Sequence, residues 1–111
     1  MLVGYSSPFG GRTRTRVLLA LRLLSESFPR ELARVLGVAL NGAQQALRSL
    51  EADGLVSGRS RGRTRLYRLN PRYFAYTELS GYLARLAEAE EELRGSVLAL
   101  RRRPRGTGKP L

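Results

Sequence analysis

Two short helical patterns separated by only three residues are the feature that most limits how this chain can fold. Pro29 suits the first turn of a helix, where a missing amide proton costs little, and the following apolar stripe stops at Gly37, a residue typical of helix ends. After residues 38–40, Asn41 predicts a helix N-cap, and the next pattern runs to Gly54. Two helices joined by so short a connection must pack against each other.

The second pattern has one apolar side and one polar side. On a wheel of about 100° per residue, its apolar residues fall together: Ala43, Ala46, Leu47 and Leu50. The opposite side carries amides and a guanidinium: Asn41, Gln45 and Arg48, with Gln44 at the flank. The sequence therefore predicts a helix that buries its alanines and leucines and exposes hydrogen-bonding groups.

A β-hairpin is predicted next, from the β-like runs 55–59 and 64–69, which are separated by the glycine-containing stretch 60–63. Residues 55–77 contain six arginines and no acid, so the hairpin concentrates positive charge. A surface that repels itself in this way predicts a polyanionic partner. The formal net charge of +11 for 111 residues supports the same interpretation.

Helical spacing also appears on both sides of this central region. Residues 13–24 predict a first helix, in which Leu19 and Leu23 form a second apolar stripe that needs a partner. From Glu78 to Leu100 the apolar spacing is close to a heptad and predicts one long C-terminal helix. We therefore expect a homodimer interface formed by Leu19, Leu23, Leu79, Tyr82, Leu83, Leu86, Leu93 and Val97.

The composition excludes most enzyme chemistry. The chain has no Cys and no His, which removes thiolate nucleophiles, imidazole bases and most transition-metal sites. Four glutamates between residues 88 and 92 point in different directions on a helix and are read as a solvated face. We therefore expect no enzyme, no metal and no cofactor.

No apolar run is long enough for a membrane span, which predicts a cytoplasmic, nucleoid-associated protein without membrane contact.

The order of these elements resembles the winged helix-turn-helix regulators, in particular the ArsR-like and MarR-like transcription regulators. The resemblance is carried by residues 30–37, 43–56 and 67–71. It implies a mainly α fold with a small β-hairpin and a long C-terminal helix. It departs from metal-sensing ArsR-like members, whose sites use Cys, His and Asp, so metal sensing is not carried over and any small-molecule effector is left open.

Helix-turn-helix docking places the second helix of the pair in the major groove of double-stranded DNA. The predicted base-contacting residues are Asn41, Gly42, Gln44, Gln45 and Arg48. The predicted wing contacts to the backbone or minor groove are Arg59, Arg61, Arg63 and Arg65. Further backbone contacts are assigned to Arg12, Arg14 and Arg16.

The chain thus divides into an N-terminal arm (1–11), a DNA-binding domain (12–77), a dimerisation helix (78–100) and a flexible basic tail (101–111). The leading hypothesis is a homodimeric, sequence-specific regulator of transcription. Two alternatives stay open: a non-specific nucleic-acid or chromatin-organising protein, and a winged-helix module that binds a partner protein.

Overall fold

The computed structural model describes residues 9–101 of the chain. Within that range the elements follow in the order α1 (Arg12–Leu24), β1 (Glu26–Ser27), α2 (Pro29–Leu36), α3 (Leu40–Ala52), β2 (Val56–Arg61), β3 (Thr64–Leu69), α4 (Tyr76–Ala87) and α5 (Glu91–Arg101). The predicted mainly helical class with a small hairpin is confirmed.

The helix-turn-helix pair forms where the sequence predicts it. Helix α2 begins at Pro29, and Gly37 follows its last residue in the left-handed conformation, with φ 66°. Helix α3 begins one residue earlier than predicted, at Leu40, and the residue at its N-cap position is Ala39. The prediction that Asn41 caps this helix is therefore wrong, because Asn41 lies inside the first turn with its side chain exposed.

The sheet has three strands, whereas the sequence predicts two. Its order is β1-β3-β2, and both pairings are antiparallel. In the short β1, Glu26 lies opposite Arg68 and Ser27 lies opposite Tyr67. The fully buried Ser27 hydroxyl donates a hydrogen bond of 2.5 Å to the Glu31 carboxylate in the first turn of α2. Strand β1 thus joins the wing, which is the β2–β3 hairpin, to the helix-turn-helix pair α2–α3.

A two-residue loop at 62–63 closes the hairpin, since Arg61 and Thr64 are paired directly. Gly62 has φ 63°, which is the conformation that the first loop position of a type II′ turn requires. This loop holds the tip of the wing in a tight turn.

Alanine at Gly62 and alanine at Gly81 are expected to change stability in opposite directions. Gly62→Ala places a side chain in the left-handed region and should cost about 1–2 kcal/mol. Gly81 lies inside α4 with open space around it, so Gly81→Ala should stabilise the fold by roughly 0.5–1 kcal/mol. Urea unfolding measures both changes, and shifts of the same sign would contradict the assigned conformations.

The C-terminal region differs from its prediction. Instead of one helix over 78–100, two helices are separated by a turn at residues 88–90. The chain changes direction there, so that both α4 and α5 pack on α1. Leu83 on α4 and Leu93 on α5 consequently enter the same core as Leu18 of α1.

This packing changes the status of the predicted dimer residues. The expectation that the Leu19 stripe lacks a partner within the chain is wrong, because Leu19 is completely buried. Four others are buried in the same core: Leu79, Leu83, Leu93 and Val97. Leu23 and Leu86 are half-buried against that core, and Tyr82 keeps 46% of its surface exposed.

Two predicted segments fall mostly outside the described residues, namely the N-terminal arm before Phe9 and the basic tail after Arg101. Within residues 9–101, the helices are too short or too polar to cross a bilayer.

Candidate nucleic-acid interface

A cleft of about 400 Å³ separates helix α3 from the wing, the β2–β3 hairpin. Gln44 and Arg48 line it from α3, while Arg63 and Arg65 line it from the wing. Its remaining lining residues are Pro29, Ser60, Gly62, Thr64 and Tyr67. The fold therefore brings residues from the two predicted DNA-binding groups to one surface.

The polar side of α3 is accessible along its length. Asn41, Gln45 and Arg48 are exposed, and Gly42 and Gln44 are half-buried at the flank. On the opposite side Ala43, Leu47 and Leu50 are completely buried. This division matches the predicted wheel, and it leaves amide and guanidinium groups at the surface, where they can form hydrogen bonds with another molecule.

Hydrogen bonds at the C-terminal end of α3 fix the position of the wing relative to this helix. The Leu55 amide donates to the Leu50 carbonyl over 3.0 Å. At the other end of the hairpin, the Asn70 side chain donates to the Gly54 carbonyl over 2.9 Å, and the Asn70 amide donates to Leu55. Both ends of the wing are thus anchored beside the last turn of α3.

The wing arginines lie on two different faces. Because side chains alternate along a strand, Ser60 and its partner Arg65 share the face of the buried pair Val56 and Leu69. Arg59 and Arg61 lie on the other face. The four wing arginines therefore do not form one continuous surface; Arg63 and Arg65 border the cleft, and Arg59 and Arg61 face away from it.

Two of these arginines already have carboxylate partners. Arg65 binds Glu51 of α3 at 2.7 Å, and Arg59 lies 3.6 Å from Glu26 of β1. The hydrogen bond that Arg65 donates to Glu51, together with the negative charge of that carboxylate, raises the pKa of Arg65 above its ordinary value. The wing therefore has acids nearby in the fold, although residues 55–77 contain none. The other two wing arginines, Arg61 and Arg63, contact no carboxylate within residues 9–101.

The three arginines at the start of α1 have separate environments. Arg12 is exposed, as a backbone contact requires. Arg14 donates to Asp53 over 2.7 Å, and Arg16 donates to the Leu36 carbonyl over 3.1 Å. The assignment of Arg14 and Arg16 to DNA stays a prediction, and both guanidinium groups already have hydrogen-bond partners within the chain.

Ser60 lies on the cleft face of β2 and is not among the site residues predicted from the sequence. Its signal was available, since Ser60 alternates with Arg59 and Arg61 and must lie on the opposite face. Within residues 9–101, no group of three or more acidic, His or Cys residues could hold a metal ion.

Solved structures with a similar fold are transcription regulators. A "possible transcriptional regulatory protein" from Mycobacterium bovis is 25% identical, with 71% of this chain and 82% of that fragment covered and a TM-score of 0.55. ZitR from Lactococcus lactis, a zinc-responsive MarR family member, is 18% identical over 90% of this chain and 68% of its own, with a TM-score of 0.61. The chain has a winged-helix fold.

A third similar structure is a mutant MarR from E. coli complexed with operator DNA. It is 20% identical, with a TM-score of 0.57, and the alignment covers 78% of this chain and 61% of MarR. The chain thus spans less than two thirds of that regulator's length. The resemblance to MarR-like winged-helix proteins is confirmed at the level of fold. No family model matches the sequence, and no curated protein is significantly similar to it.

Proposed function

We propose that this chain is a sequence-specific, double-stranded DNA-binding regulator of transcription that acts as a homodimer. The observation that carries the proposal is the shared surface of α3 and the wing, where exposed amides and guanidinium groups from both elements border one cleft. The similar fold of a MarR protein complexed with operator DNA supports it. Such a regulator works on the chromosome, in the cytoplasm and nucleoid.

In the proposed complex, α3 enters the major groove with its exposed polar side towards the bases. Gln45 and Asn41 can pair with adenine, and Arg48 can pair with guanine through two parallel hydrogen bonds. Each such pair discriminates by roughly 1–3 kcal/mol against the wrong base. Gln44 lies between this edge and the wing and contributes from the cleft, while Gly42 lets the backbone approach a phosphate.

The wing adds contacts that do not depend on base identity. Arg61 and Arg63 present positive charge at its tip without a carboxylate contact in the described part of the chain. Phosphate oxygens and the negative potential of the minor groove both attract such groups. Arg12, which is exposed at the start of α1, adds a backbone contact. Arg59 and Arg65 can contact a phosphate only if each gives up or shares its carboxylate partner.

The proposed dimer uses the exposed parts of α4 and α5. Tyr82 and Leu98 are the large apolar side chains on these helices that stay accessible, and Leu23 and Leu86 are half-buried against the core. A two-fold arrangement would present two α3 helices to successive major grooves about 34–36 Å apart. A sedimentation experiment that finds a monomer at tens of micromolar, alone and on DNA, would remove the dimer.

Selection of bound sequences from a random pool of duplex DNA tests the function. We expect enrichment of a two-fold symmetric site, with an affinity about 10³-fold or more above that for random DNA. If a dimer neutralises about six phosphates, the logarithm of affinity should fall with the logarithm of salt concentration at a slope near −5. No enriched site, or a slope near zero, would contradict the proposal.

A chromatin-organising protein is the second candidate, and the net charge of +11 favours it. In that case the wing and the basic residues dominate, and affinity shows steep salt dependence with little preference for sequence. The ratio of specific to random affinity separates the two candidates. Binding to no duplex at all at 100 mM salt would favour a protein-interaction module instead.

A further inference from the structure

Arg14 connects three parts of the molecule that are distant in sequence. Its guanidinium donates hydrogen bonds to the Phe9 carbonyl, to the Ser49 hydroxyl and to the Asp53 carboxylate. Its side chain is only 19% exposed, so these bonds occupy a group that is largely withdrawn from solvent. Ser49 and Asp53 both belong to the C-terminal end of α3, the helix that carries the proposed base contacts.

The end of α3 needs such a cation. Its last turn contains no basic residue, and its C-cap residue is Asp53. A carboxylate at this position is unfavourable, because the C-terminal end of a helix carries partial negative charge. Arg14 from α1 supplies the missing positive charge. Its planar fork also holds two points of α3 at once, which a single ammonium group cannot do in the same way.

The contact also reaches helix α4. Phe9, whose carbonyl accepts from Arg14, packs its ring on Tyr82 with centroids 5.7 Å apart. A continuous set of contacts therefore runs from Tyr82 through Phe9 and Arg14 to the end of α3. In the N-terminal half of α3, the positions of the exposed residues Asn41 and Gln45 depend on the direction of the same helix axis.

We propose that Arg14 is a positioning residue for DNA selectivity: it fixes the orientation of α3 through Ser49 and Asp53 and does not touch DNA itself. The proposal rests on the proposed function. A tilt of α3 moves the amides at its N-terminal half away from base edges, and hydrogen bonds to bases tolerate little displacement. Non-specific attraction to phosphates, in contrast, depends on charge and not on this alignment.

Arg14→Met and Arg12→Met form a matched pair for the test. Both remove one positive charge from the first turn of α1, but Arg12 is exposed, whereas Arg14 binds Ser49 and Asp53. Arg14→Met should lower the ratio of specific to random affinity about tenfold or more, the equivalent of losing one bidentate base contact. Its salt slope should stay unchanged, whereas a lost phosphate contact would reduce the slope by about 0.9. Arg12→Met removes a proposed phosphate contact, so it should reduce the slope by about 0.9 per protomer and keep the ratio.

Two further variants keep the positive charge. Arg14→Lys removes the fork. Gly10→Ala builds a Cβ atom 2.6 Å from Arg14 Nε at a residue with φ 105°, so that either the guanidinium or the backbone next to Phe9 must shift. Both should lower the selectivity ratio in the same direction as Arg14→Met. Circular dichroism and the unfolding midpoint identify variants that remain folded, and the ratio is compared among those.

Amide hydrogen exchange provides a readout that needs no DNA. Exchange at residues 49–54 should accelerate in Arg14→Met and not in Arg12→Met. An unchanged selectivity ratio in folded Arg14→Met, or a slope reduced by about 0.9 per protomer, would overturn the positioning role. If the unsubstituted protein shows no sequence preference, the proposed function fails; unchanged exchange at 49–54 would then also reject the bracing of α3 by Arg14.

Discussion

Replacing Gln45 and Arg48 together by alanine is expected to remove most of the sequence preference of this protein. Both side chains are exposed on the polar side of α3, and both are suited to paired hydrogen bonds with base edges. Loss of two such contacts costs about 2–6 kcal/mol of discrimination for each α3 helix, which is roughly 30-fold or more in relative affinity. Competition between the selected site and random duplex measures this ratio directly.

The matched control replaces two exposed arginines outside α3, the wing and the proposed dimer helices, Arg34 and Arg72, by alanine. That variant has a lower net charge than the Gln45/Arg48 variant, so a purely electrostatic binder would lose more affinity from it. A regulator would lose selectivity only in the α3 variant. Equal ratios for the unsubstituted protein and the α3 variant would exclude direct readout by these residues and favour the chromatin-organising alternative.

The sequence was sufficient to predict α2 and α3, because their signals are local. A period of 3.6 residues, Pro29 in the first turn and Gly37 at the end of α2 all act within a few residues of one another. The division of α3 into a buried and an exposed side follows from the same periodicity. The candidate base contacts could therefore be assigned before the fold was known.

The break between α4 and α5 had no local signal. Residues 88–90 are Glu-Ala-Glu, which are among the better helix formers, and the apolar spacing continues across them. Helix α4 ends there because the packing of Leu83, Leu93 and Val97 in the core with α1 stabilises the fold more than residues 88–90 would by continuing the helix. Strand β1 was missed for a related reason, since two residues show no periodicity and are defined only by pairing with β3.

The partners of the arginines were equally inaccessible to local reasoning. Glu26 lies 33 positions before Arg59, and Asp53 lies 39 positions after Arg14. A count of charges along the sequence makes all wing arginines equivalent, whereas the fold divides them into Arg59 and Arg65 with carboxylate partners and Arg61 and Arg63 without them. Only the fold shows which charges are free to meet a phosphate.

This division leads to a quantitative expectation for Arg61 and Arg63. Replacing both by alanine should reduce the magnitude of the salt slope by about 1.8 per protomer, since each phosphate contact contributes about 0.9. Affinity for the selected site and for random DNA should fall together, because neither arginine reads a base in the proposed complex. The ratio of the two affinities should therefore stay constant while both slopes change. Titrations at several salt concentrations measure both quantities.

The paired arginines supply the control. Arg59 and Arg65 carry the same charge on the same hairpin, but each must give up or share a carboxylate, Glu26 or Glu51, before it can bind a phosphate. The slope of the Arg59/Arg65 double alanine variant should therefore change less than that of the Arg61/Arg63 variant, because no phosphate contact is lost while the ion pairs persist. Equal slope changes for both pairs would show that the intramolecular ion pairs do not persist in solution, and that the wing meets DNA as one undivided surface of positive charge.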